Sequence, residues 1–109
     1  GVGRALYQAR RQLCRRLNLR RIIAAGRLPG YRHVKDVMSP ELYAMRVVWG
    51  DIPDPVLRFQ LSQGFHYCGV IHNYLPEDEP SCGHAALIVW LNPRYAPPRP
   101  DALARKAAA

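Results

Sequence analysis

Acidic residues are missing from the first third of this sequence. No Asp or Glu occurs before Asp36, although the 109 residues include 8 of them against 16 Lys and Arg, for a net charge of +8. Ten of those 16 basic residues lie in positions 1–35. A segment with one sign of charge attracts polyanions such as a phosphorylated cofactor, nucleic acid or an anionic surface. The alternative is a solvated helix face in an arginine-rich protein.

Long hydrophobic runs are missing too. The longest uninterrupted apolar segment, 85–91, is too short to span a bilayer, and the first residues contain no apolar core of a signal peptide. The 3 cysteines, at positions 14, 68 and 82, are odd in number and form no C-x-x-C pair. We therefore expect free thiols in a cytoplasmic protein without a membrane partner.

The first 17 residues form the most regular stretch. Gly1-Val2-Gly3 is a glycine-rich turn that leads into an amphipathic helix pattern. At about 100° per residue, Arg4, Arg11 and Arg15 share one face, and the opposite face is apolar, with Val2, Leu6, Ala9, Leu13 and Leu17. We expect the Leu6/Leu13 face to pack on a sheet.

The start of this helix also has the features of an anion site. Glycines let a ligand approach the backbone, and a helix N-terminus offers unpaired N–H groups and partial positive charge. Phosphate is the ligand that suits such a site best. The alternative is an ordinary helix start with small residues, because G-x-G alone is weak evidence.

Helix and strand signals alternate along the rest of the chain. Asn18 is expected to follow the end of the first helix. A second predicted helix, 40–49, should start at Ser39-Pro40, end at Gly50, and bury Leu42, Met45 and Trp49. The other predicted segments are a strand at 19–25, a loop at 26–37, a helix at 55–63, a strand at 65–72, an acidic turn at 74–83, a strand at 84–91, and a Pro/Ala-rich tail or linker at 94–109.

Histidine and cysteine alternate in the predicted strand at 65–72. His66, Cys68, Val70 and His72 would share one face, and Cys82 and His84 follow in the next connection. The spacing matches no standard zinc signature, so we predict no metal. The acidic residues of 77–79 are expected to lie in a solvated turn, although they could also attract an amine.

The stretch DPVLRFQLSQGFHYCGVIHNYLPEDEPSCGHAALIVWLNP resembles the C-terminal half of a GNAT-superfamily N-acetyltransferase. In that family a helix ends in Gly-Phe, as at Gly64-Phe65, and two antiparallel strands close the sheet. The family's acyl-CoA pyrophosphate loop ends in Gly-x-Gly/Ala, which Gly1-Val2-Gly3 matches. The resemblance covers residues 1–93, with an extra loop and helix at 27–50. GRLPGYRHV and SPELY are similar to a bacterial branch whose acetyltransferase domain is sometimes fused to a carbon–nitrogen hydrolase.

The chain departs from the family in two ways. It begins inside the phosphate motif, so we expect a partial domain without the family's earlier strands and helices, which carry much of the acceptor site. An exposed sheet edge, and with it a homodimer, is expected where those strands would pair. Many members also place a tyrosine five residues before the Phe of Gly-Phe, as the general acid. Here that position is Gln60, whose amide cannot supply a proton in that way, and no catalytic residue is assigned. Tyr67 and Tyr74 are candidate substitutes.

The resemblance implies an α/β fold with a mixed sheet and packed helices, and direct transfer of an acetyl group from acetyl-CoA to an unidentified amine. It implies that acetyl-CoA binds at Gly1, Val2, Gly3, Arg4 and Ala5, with a weaker expectation for Asp54. Two alternatives stay open: binding of nucleic acid or another polyanion through the arginine-rich helix, and a non-catalytic fold remnant. Nucleic acid is disfavoured, because no groove-reading helix pair or aromatic platform is recognisable.

Overall fold

A computed structural model describes residues 1–98 of the chain. The elements are α1 (Val2–Arg16), β1 (Arg21–Arg27), α2 (Pro40–Trp49), α3 (Pro55–Ser62), β2 (His66–Ile71) and β3 (Ala85–Leu91). Short 3-10 turns lie at Tyr31–His33 and Glu79–Ser81. The predicted α/β class with packed helices is confirmed. Of the tail or linker predicted at 94–109, the part from residue 99 onward falls outside the described residues. No helix of the described part has the length and apolar character needed to cross a membrane.

The three strands form one antiparallel sheet in the order β1-β3-β2. β3, the most apolar strand, takes the central position and pairs with β1 from Arg21↔Leu91 to Arg27↔Ala85. Within residues 1–98, β1 pairs along only one edge, which agrees with the expected exposed sheet edge.

A bulge in β2 overturns one prediction. Tyr67 pairs with Ile88 and Val70 with Ala86, so β2 holds one more residue than β3 between these pairs. The extra residue reverses the alternation, and Tyr67 and Val70 both pack against the core. His66 and Cys68 are exposed instead. The predicted shared face of His66, Cys68 and Val70 is therefore wrong.

The core lies between one face of the sheet and the three helices. Ala86, Ile88 and Trp90 of β3 form its floor. The side chains that cover this floor come from every helix and from the loops between them, namely Cys14, Leu28, Tyr31, Tyr43, Ala44, Val47, Leu57 and Phe65. On the other face of the sheet Ile23 and Leu91 are each 56% exposed. Residues 1–98 thus form two layers.

The orientation of α1 differs from the prediction. Leu6 and Leu13 are 51% and 48% exposed, whereas Cys14 is 2% exposed and Tyr7 packs against the core. The inward side is the i, i+4, i+7 series Tyr7, Arg11 and Cys14, so the expected Leu6/Leu13 contact with the sheet is wrong. Periodicity reports which face is apolar, but the contacts available in the fold decide which face turns inward.

α2 also turns a different face inward. It buries Pro40, Tyr43, Ala44 and Val47, whereas Leu42 is 38% and Trp49 61% exposed. Met45 is only half-buried. The helix carries two apolar stripes, and the stripe that contains Tyr43 contacts the rest of the core. The predicted burial of Leu42, Met45 and Trp49 is therefore wrong.

The helix ends follow the predicted signals. Ser39 caps α2 by accepting a hydrogen bond from the N–H of Leu42 at 3.1 Å, and Gly50 ends it with φ 88°. Asp54 caps α3, and Asn18, with φ 51°, follows α1 in the left-handed conformation expected after a helix end.

Asp54 joins three segments at once. Its Oδ1 accepts from the N–H groups of Val56 and Leu57 at 3.1 and 3.2 Å. Its Oδ2 accepts from the N–H of Gly30 at 3.2 Å and from the hydroxyl of Tyr43. The carboxylate is 1% exposed, so these four donors replace its hydration shell. A Cβ at position 30 would collide with the Tyr43 hydroxyl, which explains the glycine there.

Replacing Asp54 should destabilise the protein more than removing an ordinary helix cap. We expect Asp54→Ala to lower the free energy of unfolding by roughly 3 kcal/mol or more, because it leaves buried donors without an acceptor. Ser39→Ala, which removes a single exposed cap bond, should cost about 1 kcal/mol. Urea denaturation of both variants measures the difference, and equal losses would contradict the role given to Asp54.

Candidate functional site

The N-terminus of α1 presents backbone donors without a side-chain cap. Gly1 is the N-cap residue, no side chain accepts from the first turn, and no acidic residue lies there. The first backbone bond of the helix runs from the N–H of Ala5 to the carbonyl of Gly1, at 3.1 Å. Residues 1–5 are all exposed. This end of the helix therefore combines free N–H groups, the positive end of the dipole and the Arg4 side chain, as an anion site requires.

Gly3 brings the start of α1 close to α3. A Cβ at this position would lie 3.5 Å from the ring of Phe59. The same ring lies 5.7 Å from that of Tyr7, and Tyr7 is 5.4 Å from Phe65. Aromatic packing thus fixes the N-terminal half of α1 against α3. The described residues enclose no pocket, so a ligand at the α1 N-terminus would bind an open surface.

Tyr7 and Gln60 meet across this contact. The Nε2 of Gln60 donates to the hydroxyl of Tyr7 at 3.1 Å. Gln60 is 7% exposed, its Oε1 has no hydrogen-bond partner, and that oxygen lies over Gly26, where a Cβ would collide with it. Sequence reasoning singled out Gln60 but missed Tyr7. The i, i+4, i+7 spacing of Tyr7, Arg11 and Cys14 is the signal that identifies its face.

Two of the three arginines assigned to one face of α1 contact the fold. The guanidinium of Arg11 donates to the carbonyl of Gln63 at 3.1 Å and to its side-chain oxygen at 3.4 Å. Arg15 lies over the ring of Trp90, 5.5 Å from its centroid. Arg4 is exposed at the start of the helix. The positive charge nearest the free N–H groups therefore comes from Arg4.

Asp54 lies apart from residues 1–5. All four of its donors belong to the loop before α2, to α2 itself and to the first turn of α3. Burial and the hydrogen bond to Asp54 raise the pKa of Tyr43, so the phenol stays protonated and donates. The carboxylate performs a structural task here, and its contact with a cofactor stays a prediction.

The acidic turn is only partly solvated. Glu77 and Glu79 are exposed, but Asp78 is 8% exposed and accepts from Arg27 at 3.0 and 2.6 Å. Ser81 accepts from the N–H of Leu28 at 2.9 Å. The expectation of a solvated turn is therefore wrong for Asp78, which fastens the β2–β3 connection to the end of β1.

Two histidines lie where the same connection meets α2. His72 pairs with Glu41 of α2, and its ring lies 4.8 Å from that of His84. Burial and the neighbouring His72 lower the pKa of His84, whose Nδ1 accepts from the N–H of Asn73. Within residues 1–98, no three His, Cys, Asp or Glu side chains converge as ligands for a metal ion. All three cysteines are free, as expected.

The chain is similar to two proteins of Bacillus subtilis. It is 44% identical over 96 residues to a protein named probable hydrolase YhcX. This match covers 88% of the present chain and 19% of YhcX. It is 34% identical over 95 residues to an uncharacterized N-acetyltransferase, YkwB. This match covers 87% of the present chain and 42% of YkwB.

The chain thus spans less than half the length of either relative. No family model matches it, and no solved structure does. The similarity to YkwB runs along most of the chain, and it agrees with the resemblance to N-acetyltransferases at the coarse level of the family.

The ion pair between Arg27 and Asp78 should make stability depend on pH. Hydrogen bonds from Arg27 lower the pKa of Asp78, burial opposes them, and bonds involving Ser81 lower it further. A carboxylate with a depressed pKa in the folded state stabilises above its unfolded pKa of about 4, and this contribution is lost as the pH falls through the folded value.

We expect Asp78→Asn to lower the free energy of unfolding by about 1–3 kcal/mol at pH 7, and the difference from wild type to shrink below about pH 4. Glu77→Gln, which neutralises an exposed neighbour, is the control and should change stability by less than about 0.5 kcal/mol. Denaturation curves measured from pH 7 down to pH 2 test both. A loss that does not depend on pH would contradict this account.

Proposed function

We propose that this chain forms the cofactor-binding part of an N-acetyltransferase, which moves an acetyl group from acetyl-CoA to an amine. The observation that carries the proposal is the uncapped N-terminus of α1, which aims free N–H groups and Arg4 at open solvent. A pyrophosphate suits this arrangement, because it is an anion with several acceptor oxygens. Similarity to a relative named as an N-acetyltransferase supports the choice of cofactor.

The chemistry of the proposed reaction is direct transfer. The nitrogen of a deprotonated amine attacks the thioester carbonyl and the C–N bond forms. The C–S bond then breaks, the thiolate of CoA leaves, and the nitrogen loses one proton to solvent to give the neutral amide. The protein accelerates this mainly by holding the reactants together and by stabilising the charge that develops. In our proposal Gly1, Val2, Gly3, Arg4 and Ala5 hold the pyrophosphate, and the acceptor amine is unassigned.

The relative named a probable hydrolase fits the same proposal. The chain matches 19% of that protein, which leaves ample length for a separate catalytic domain. This agrees with the resemblance to a bacterial branch in which an acetyltransferase domain and a carbon–nitrogen hydrolase are fused. We therefore place the acetyltransferase function in the matched segment and the hydrolase function elsewhere in the relative.

Binding of nucleic acid or another polyanion is the competing function. It would use the arginines of α1, but Arg11 is engaged with Gln63 and Arg15 with Trp90. These contacts hold Arg11 and Arg15 against the protein, whereas Arg4, Arg10 and Arg16 make no such contact with Gln63 or Trp90 and are exposed. A polyanion would bind with a steep dependence on salt, whereas a specific CoA site would discriminate CoA from unrelated nucleotides.

Calorimetric titration of acetyl-CoA into the protein tests the proposal. We expect saturable binding that Arg4→Gln weakens roughly five-fold, because one charged partner of the pyrophosphate is lost. Arg16→Gln is the matched control: it removes the same charge from the same helix, but at the opposite end. It should leave the affinity within about two-fold.

Three outcomes would contradict the proposal. Equal losses in the two variants would mean that only net charge matters, as for a polyanion. Equal binding of acetyl-CoA and ATP would mean that the site does not recognise the pantetheine arm. Absence of any binding would exclude the proposed cofactor site.

A further inference from the structure

Three ionisable side chains form a cluster where the β2–β3 connection meets α2. His72 follows β2, His84 precedes β3, and Glu41 lies in the first turn of α2. His72 pairs with Glu41, and the rings of the two histidines meet edge to face with their centroids 4.8 Å apart. These three residues, called the histidine cluster below, therefore join one end of the sheet to a helix that is distant in sequence.

The contact that His84 makes within the connection requires a neutral ring. Its Nδ1 accepts from the backbone N–H of Asn73 at 3.3 Å. Further into the connection, the N–H of Leu75 donates to the carbonyl of Gly83 at 3.0 Å, so these two bonds hold the two limbs of the connection together. Both nitrogens of an imidazolium ring carry hydrogen and act as donors. Protonation of His84 therefore removes the first of these two bonds.

A charge on His84 would also lie beside a second histidine. When His72 is protonated, Glu41 compensates its charge, but one carboxylate cannot compensate two imidazolium groups to the same extent. Burial, followed by the neighbouring His72, lowers the pKa of His84, and Glu41 opposes this shift. The folded connection thus resists protonation of His84.

The tyrosines that face the cluster stay neutral near neutral pH. Tyr31 lies against His84, with the two ring centroids 5.9 Å apart, and its pKa is raised. Burial is the first cause of this shift, followed by the nearby ionisable groups of Cys82, Glu41 and Asp36. Burial and Glu41 raise the pKa of Tyr67 in β2. Neither phenol therefore changes its charge in the range in which histidine titrates.

Glu41 stays ionised over the same range. Burial raises its pKa, but hydrogen bonds from its own backbone N–H and from His72 lower the pKa further than burial raises it. The side chains of His72 and Glu41 are 52% and 47% exposed. A half-exposed ion pair contributes little stability, so a second positive charge beside it is enough to disturb the contact.

The other attachment of the connection does not respond in this pH range. Asp78 accepts from Arg27, and Ser81 accepts from the N–H of Leu28. Hydrogen bonds from Arg27 lower the pKa of Asp78, although burial opposes them, so this ion pair persists well below the range in which histidine titrates. The inner part of the connection thus stays fastened to the end of β1, and residues 72–77 form its outer part beside the histidine cluster.

We propose that the histidine cluster is a proton-sensitive latch, which holds residues 72–77 against α2 at neutral pH and releases them when His84 takes up a proton. Release breaks the bond from Asn73 and relieves the repulsion between His84 and His72. A released histidine takes up its proton at the ordinary pKa of about 6.5, above that of His84 in the closed connection, so release increases as the pH falls below that value. The latch is a property of the fold and is independent of the proposed cofactor site.

Amide hydrogen exchange on the whole chain, resolved by NMR from about pH 7.5 to about pH 5.5, tests this proposal. After correction for the intrinsic exchange rate, we expect the protection of the Asn73 and Leu75 amides to fall about five-fold with the pH, the ratio that the loss of one hydrogen bond gives. Ile88, in the central strand β3, is the internal reference and should keep its protection.

Four variants assign the response to the cluster. His84→Asn removes the titrating ring but places an amide oxygen near the position of Nδ1, and it should make the protection of Leu75 independent of pH. His72→Gln removes the neighbouring positive charge and should move the midpoint of release down by about half a pH unit. Glu41→Gln removes the compensating negative charge and should move the midpoint up by a similar amount. His66→Gln, which replaces an exposed histidine of β2, is the matched control and should leave the midpoint unchanged.

Constant protection of Asn73 and Leu75 in the wild-type protein would overturn the proposal. A fall at Asn73 alone would also overturn it, because a single bond would then be lost without release of the connection. A parallel fall at Ile88 would indicate general destabilisation instead of a latch. If His84→Asn does not fold, the midpoints of His72→Gln and Glu41→Gln decide, and equal midpoints would contradict the latch.

Discussion

The fold depends on one buried carboxylate. Asp54 accepts four hydrogen bonds from the loop after β1, from α2 and from the first turn of α3, at 1% exposure. The same segments also meet in the core, where the ring of Tyr31 lies 5.6 Å from that of Tyr43 and Leu57 of α3 packs in the same cluster. By accepting all four hydrogen bonds, Asp54 fixes the start of α3 relative to the sheet, and with it the position of Gln60.

The position of α3 in turn sets the surface that α1 presents. Phe59 contacts Gly3 and Tyr7, and the end of α3 accepts from Arg11, so one side of α1 is occupied along its length. The free N-terminus of α1 consequently lies beside the aromatic contact rather than apart from it. The uncapped N-terminus of α1 and the ring of Tyr7 thus belong to one surface of residues 1–98, and the proposed acetyl-CoA site lies on it.

The same arrangement limits the role of charge. The basic first third suggests a polyanion, yet Arg11 and Arg15 act mainly through packing and local hydrogen bonds. Arg27 likewise pairs with Asp78. Net charge attracts anionic ligands over a distance, but specificity comes from the few groups that stay free and point in one direction. In the proposed site those groups are the first N–H donors of α1 and the side chain of Arg4.

The sequence by itself determined the element order, the caps at Ser39 and Asp54, and the turn at Asn18, because these depend on local backbone chemistry. It also predicted the most apolar strand at 84–91, within one residue of β3. Only the tertiary structure decided which faces of α1 and α2 turn inward. Each helix has apolar residues on more than one side, and periodicity does not indicate which side another element will pack against. Three further features were decided by contacts between residues distant in sequence, which no local pattern encodes. They are the β2 bulge, the burial of Asp78 and the pairing of Tyr7 with Gln60.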